Sequence, residues 1–106
     1  MLVFYHATDY ENLASILDNG LKASMEGIVY LTETEQDALK MVALRGYKEI
    51  LTIKILIPEK EAHRIVETFD HSEAFFKCKS YGYQGNISKR RLTPLKRYDN
   101  PYYFGG

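Results

Sequence analysis

The run Leu2-Val3-Phe4-Tyr5-His6-Ala7-Thr8 alternates along its length. A strand turns successive side chains to opposite faces, so Leu2, Phe4 and His6 share one face and Val3, Tyr5 and Ala7 the other. The residues just beyond change period. Thr8-Asp9-Tyr10-Glu11 has the spacing of a capping box, which opens a helix by satisfying its first amide donors. Leu13, Ile16 and Leu17 follow at helical spacing and are expected to form its buried stripe. Gly20 suits a left-handed residue just past the helix, with Leu21 packing back on Ile16 in a Schellman ending. The order is therefore strand, helix and glycine turn, with a histidine carried on the strand.

Further along, Ile28 to Leu31 reads as a short strand. Thr32-Glu33-Thr34-Glu35 is a second capping-box candidate, opening a helix to about Leu44. In that helix Ala38, Met41, Val42 and Arg45 fall on one side, and Gly46 stops it. Glu33 and Glu35 fit roles at the helix start, where the macrodipole favours carboxylates. Glu49 to Ile57 is the clearest strand. It sets Leu51, Ile53, Ile55 and Ile57 on one face and Thr52 and Lys54 on the other, and Pro58 ends it. His63 to Val66 reads as a short strand. Ala74 to Lys79 and Tyr81 to Ile87 read as a hairpin with a tight turn near Ser80, and Leu92 to Tyr98 as an edge strand. Two early helices and then a run of strands favour α+β with a largely antiparallel sheet.

A chain of 106 residues with no repeat or linker is expected to form one domain, 1–106. Its 45% hydrophobic content supports a core. No apolar run approaches the ~20 residues that span a bilayer, so no membrane is expected. The N-terminus has neither the basic start nor the cleavage site of a signal peptide. The single Cys78 suits a reducing, cytoplasmic compartment. Its spacing from His63 and His71 matches no zinc site, so no metal is expected. The net charge of zero hides an asymmetry: between Ala74 and Tyr98 there are seven Lys or Arg and no Asp or Glu. Such a stretch suits a polyanion. It equally suits a solvated sheet edge, where Lys blocks edge-to-edge pairing.

Three segments carry a family resemblance: Tyr5-His6-Ala7-Thr8, Ile16-Leu17-Asp18-Asn19-Gly20-Leu21 and Val29-Tyr30-Leu31-Thr32. They resemble the ADP-ribosyltransferase superfamily, in particular its small RNA 2′-phosphotransferase-like and DarT-like branches. Members carry a His or Arg on the first strand, a Ser or Tyr motif on the second, and commonly a Glu or another polar residue on a late strand. His6 matches the first position, Tyr30 and Thr32 the second. Gln84, in Tyr81-Gly82-Tyr83-Gln84-Gly85-Asn86-Ile87, stands at or near the third.

The resemblance implies a split β-sandwich with two N-terminal helices, and NAD as substrate in a cleft between its sheets. It implies that His6, Ala7, Thr8, Tyr30 and Thr32 bind NAD, with His6 on the ribose and Tyr30 stacked on nicotinamide. It implies catalytic roles for His6, Tyr30 and Gln84, with ADP-ribose passed to a protein or nucleic-acid acceptor. Gln84 in place of Glu can hold a hydroxyl but cannot act as a base. Two other readings stand beside this one. The first is an inactive member of the same fold that binds a nucleotide or a protein partner, of a kind associated with phage or defence systems. The second is a nucleic-acid-binding module using the basic 77–97 stretch, with Tyr81, Tyr83, Tyr98, Tyr102 and Tyr103 available to stack on bases.

Overall fold

A computed structural model describes residues 1–68 and 79–103. The alternating N-terminal run forms β1 (Leu2–Asp9), which pairs along its whole length with β3 (Glu49–Ile57), from Leu2 opposite Ile57 to Asp9 opposite Ile50. On the other side of β3 lies β6 (Leu92–Asp99). Its register slips between Thr52 and Ile53, so that Lys96 and Pro94 face consecutive residues and Leu95 bulges out. Pro94 lacks a ladder donor, and an edge strand at a bulge is where that does least harm. A second sheet has β5 (Ser80–Gln84) at its centre, flanked by β2 (Ile28–Leu31) and β4 (Ile65–Thr68). The protein is thus a small α+β domain with two three-stranded antiparallel sheets. Its radius of gyration is 13.1 Å, against the ~13 Å typical of a compact chain of this size.

The central strand β3 buries both faces. Leu51, Ile53, Ile55 and Ile57 meet Val29, Leu31 and Tyr83 of the second sheet, together with Ile16, Leu21 and Ile87. Ile50, on the opposite face, joins Ala7 of β1 and Ala38 and Val42 of helix α2 (Glu35–Val42). Thr52 shares that face and is fully buried; its hydroxyl donates to Glu35 Oε2 at 2.7 Å. The face assignments read from β1 and β3 therefore hold, with α2 covering the face that carries Tyr5 and Ala7.

Several boundaries differ from the sequence reading. Asp9, not Thr8, caps the first helical turn: its carboxylate accepts from Glu11 N, and a 3-10 turn (Tyr10–Asn12) leads into α1 (Leu13–Asn19). Thr8 stays in the ladder opposite Leu51. Leu17 is exposed, so the buried stripe of α1 reduces to Ile16 with Leu13 partly covered. No Schellman bond forms; Leu21 pairs both backbone groups with Ile87, at 3.0 and 2.8 Å. Thr34 rather than Thr32 caps α2, accepting from Asp37 N. Glu33 instead accepts from the Tyr81 hydroxyl. Glu59–Arg64 is a 3-10 helix, so the strand expected at His63 begins at Ile65. Ser80 is the first residue of β5, opposite Thr68, and not a hairpin turn. The Ala74–Lys79 strand, apart from Lys79, lies outside the described residues.

Candidate functional site

The two sheets meet at one point and part from it. Tyr5 on β1 and Thr32, just past β2, exchange both backbone bonds, Tyr5 N to Thr32 O at 2.8 Å and Thr32 N to Tyr5 O at 2.9 Å. Backbone groups two residues apart on a strand point the same way. The Tyr30 carbonyl therefore also faces β1, yet the ladder does not continue to it. The His6 ring enters the gap, with Nδ1 2.6 Å from Tyr30 O. A carbonyl only accepts, so Nδ1 carries the hydrogen and Nε2 is left as an acceptor. Burial, opposed by the Tyr30 hydrogen bond and reinforced by the Arg45 charge, lowers the His6 pKa below 6.5. At neutral pH the ring is uncharged, one nitrogen fixed and the other available.

His6, Ala7, Tyr30 and Thr32 line one small cavity of ≈ 40 Å³, closed by Ala38, Met41 and Arg45. His6 is also the wall of a second cavity of ≈ 250 Å³ under α1, with Thr8, Asn12, Ser15, Gly20 and Lys22. All five NAD-binding candidates thus lie around His6, with Thr8 on the second side. Thr32 is buried and its hydroxyl donates to Thr34 O at 2.8 Å. That bond turns the chain from β2 into α2. Gln84 lies elsewhere. It is exposed and borders neither cavity. Its register partner is Ile28, while Tyr30 sits opposite Gly82. Tyr30 and Gln84 therefore share a face as diagonal neighbours, typically ~7–8 Å apart. Gly82 keeps that surface low, since a Cβ there would meet Ile28 Cδ1 at 2.9 Å.

Two residues beside the site, Glu26 and Lys22, carried no signal in the sequence, whereas helical spacing sets Arg45 on one side with Ala38, Met41 and Val42. Glu26 accepts from the Tyr30 hydroxyl at 2.9 Å, and the loop bearing it is tied to the end of β5 through Gly85 N to Gly27 O at 3.0 Å. Glu26 precedes its partner by four residues, a spacing informative only in a helix, and here it spans a turn. Arg45 and Lys22 reach the two cavities from the ends of separate loops. Among the described residues no cluster of three or more His, Cys, Asp or Glu is arranged to hold a metal. No helix among them is long and apolar enough to cross a membrane.

The basic stretch is partly neutralised. Arg91 donates to Glu61 through Nη1 and Nη2, the latter at 2.6 Å. Arg97 pairs with Glu49 at 3.2 Å.

No protein-family model matches the chain, and no curated protein matches it in sequence. Among solved structures, one designated EcPltA is similar in fold, with a TM-score of 0.55 over 99% of this chain and 89% of that one, at 9% identity. At that identity the likeness concerns the course of the backbone alone.

Proposed function

We propose that the chain is an ADP-ribosyltransferase-like split β-sandwich that binds NAD where its sheets part and transfers ADP-ribose to a macromolecular acceptor. The observation that carries this reading is the His6–Tyr30 arrangement: a neutral imidazole, fixed at Nδ1, offering Nε2 to a ribose hydroxyl. The ≈ 40 Å³ cavity is too small for a nicotinamide. The dinucleotide instead extends from His6 into the larger cavity, where Lys22 balances pyrophosphate charge and Asn12 and Ser15 offer hydrogen bonds. Drug-sized ligands commonly fill ~300–1,000 Å³, so part of the dinucleotide lies along open surface.

Transfer breaks the bond between nicotinamide and ribose C1′. Nicotinamide leaves neutral, and the ribose passes through an oxocarbenium-like state before the acceptor attacks. The acceptor's proton then needs a base. Gln84, in the place the resemblance assigns near C1′, cannot take it. On this reading that role falls to Glu26, which accepts from the Tyr30 hydroxyl. The exposed placement of Gln84, off both cavities, favours a second reading: a domain of this fold that binds the nucleotide without turning it over.

Calorimetry with NAD, and chromatography of released nicotinamide, test both. Wild type is expected to bind NAD. His6→Ala should weaken binding by one hydrogen bond, about 1 kcal/mol or roughly fivefold. A ground-state contact shows in affinity, and a group acting near C1′ shows in rate. Gln84→Ala is therefore expected to slow release, and Gln84→Glu to raise it. NAD binding with no release from wild type selects the binding-only reading. Absence of both in every variant, with protein and nucleic-acid acceptors supplied, overturns the NAD reading altogether.

A further inference from the structure

A cavity that His6 does not line is bordered by Asn86 and Ser88, the neighbours of Ile87. Its volume is ≈ 460 Å³, and Lys60, Arg64 and Arg91 line it, together with His63 and one carboxylate, Glu61. The side chains are organised before any ligand arrives. Glu61 is committed to Arg91 through both of its oxygens and also accepts from the Tyr83 hydroxyl. Arg91 and then Tyr83 hold its carboxyl at about 2, so it stays ionised and compensated. Arg64 is exposed but anchored: its Nη1 donates to the Gln84 carbonyl at 2.9 Å. Lys60 is exposed. Asn86, also on the wall, is oriented by the bond its side-chain oxygen accepts from Ala23 N at 2.8 Å, which leaves its amide as a donor.

Three cations face one carboxylate, leaving a net charge of two. A phosphomonoester carries about −1.5 to −2 at neutral pH, whereas a phosphodiester carries one charge. A planar carboxylate matches neither the charge nor the spread of donors. We propose that this cavity is a binding site for a phosphomonoester, held by Lys60 and Arg64, with Arg91 locked by Glu61 as the fixed floor. The site stands apart from the NAD reading and does not depend on it.

The test is titration at pH 7.5 in dilute chloride buffer, followed by calorimetry and amide chemical shifts. The probes are inorganic phosphate, AMP and cyclic AMP, with adenosine as the phosphate-free control. Phosphate and AMP are expected to bind and to shift the amides of Arg64, Asn86 and Ser88. Cyclic AMP should bind at least about fivefold more weakly, and adenosine not at all. Lys60→Gln and Arg64→Gln, both at exposed positions, should each weaken AMP about fivefold while leaving the thermal midpoint unchanged. Silence of both phosphate and AMP overturns the proposal. So does equal affinity for AMP and cyclic AMP, or shifts confined to Thr8, Asn12 and Lys22, or affinity unmoved by either substitution.

Discussion

A single imidazole fills the place of a backbone hydrogen bond where β1 and β2 separate, and its protonation is thereby linked to stability. The unfolded chain takes up a proton as pH falls through 6.5, while folded His6 resists until a lower pH. Stability should therefore fall as pH drops below 6.5 and level off once the lowered pKa is passed. Denaturant midpoints measured from pH 7.5 to 5 are expected to decline more steeply for wild type than for His6→Gln. Parallel curves would mean that folding does not shift the titration of the ring. Gly20 is a second residue whose identity is fixed by its surroundings. Its backbone sits at φ 74° and ψ −164°, a region essentially restricted to glycine. A Cβ there would also lie 2.3 Å from the Ile87 carbonyl. Gly46, at φ 82°, has nothing within 4 Å. Gly46→Ala thus measures backbone strain alone, about 1–2 kcal/mol. Gly20→Ala adds the clash with the bridge and should exceed about 3 kcal/mol. Equal shifts in urea midpoint would show that the Leu21–Ile87 bridge yields.

Among the elements, periodicity carried most of the information. Alternation in β1 and β3 and helical spacing in α2 were enough to place β1, β3 and α2 and to assign their faces, because each has one face that must be apolar. It was the family resemblance that set His6 and Tyr30 in one site, and the His6 ring does reach the Tyr30 carbonyl. What failed was choice among near-equivalent local signals. Thr8 and Asp9 are both good caps and both pair in the ladder, opposite Leu51 and Ile50; the Asp9 carboxylate is the one that accepts from Glu11 N, so the turn begins one residue later. Thr32 is likewise held by Tyr5, and Thr34 takes the cap. Long-range partners were not legible at all. The Ala43 carbonyl beyond the end of α2 is satisfied by Asn100 Nδ2 at 3.0 Å, from a residue following β6. Arg91 beside Glu61 belongs to the same class, whereas Glu26 is only four residues from Tyr30 and went unread because the spacing spans a turn and not a helix. The cap assignment has a direct consequence. Thr34→Ala should cost about 1 kcal/mol of stability. Thr8→Ala removes only an exposed bond with Asn12 and should stay within about 0.5 kcal/mol. The reverse order in thermal midpoints would restore Thr8 as the cap.

Across the whole molecule, the sheets are joined by their shared core, by the Tyr5–Thr32 bridge and by one polar cluster. Glu61 lies in the 3-10 helix connecting β3 to β4, and Arg91 in the one connecting β5 to β6. Each connection leads from one sheet to the other, so their ion pair ties the two crossings together, with Tyr83 of β5 as third member. Glu61 keeps a carboxyl pKa of about 2 against an ordinary 4.5, first through Arg91 and then through Tyr83. A carboxylate with a depressed folded pKa contributes stability above its unfolded value and loses it as pH falls toward the folded one. The loss from this cluster should therefore occupy the window from 4.5 down to about 2, beginning at a lower pH than the 6.5 at which the His6 effect sets in. Glu61→Gln cannot ionise and leaves Arg91 without its carboxylate. It is expected to be less stable than wild type at pH 7, with the difference shrinking as pH approaches 2. Chemical denaturation at pH 7, 5, 3.5 and 2.5 measures this. A difference that stays constant across that range would mean that Glu61 supports the fold through packing and not through its charge.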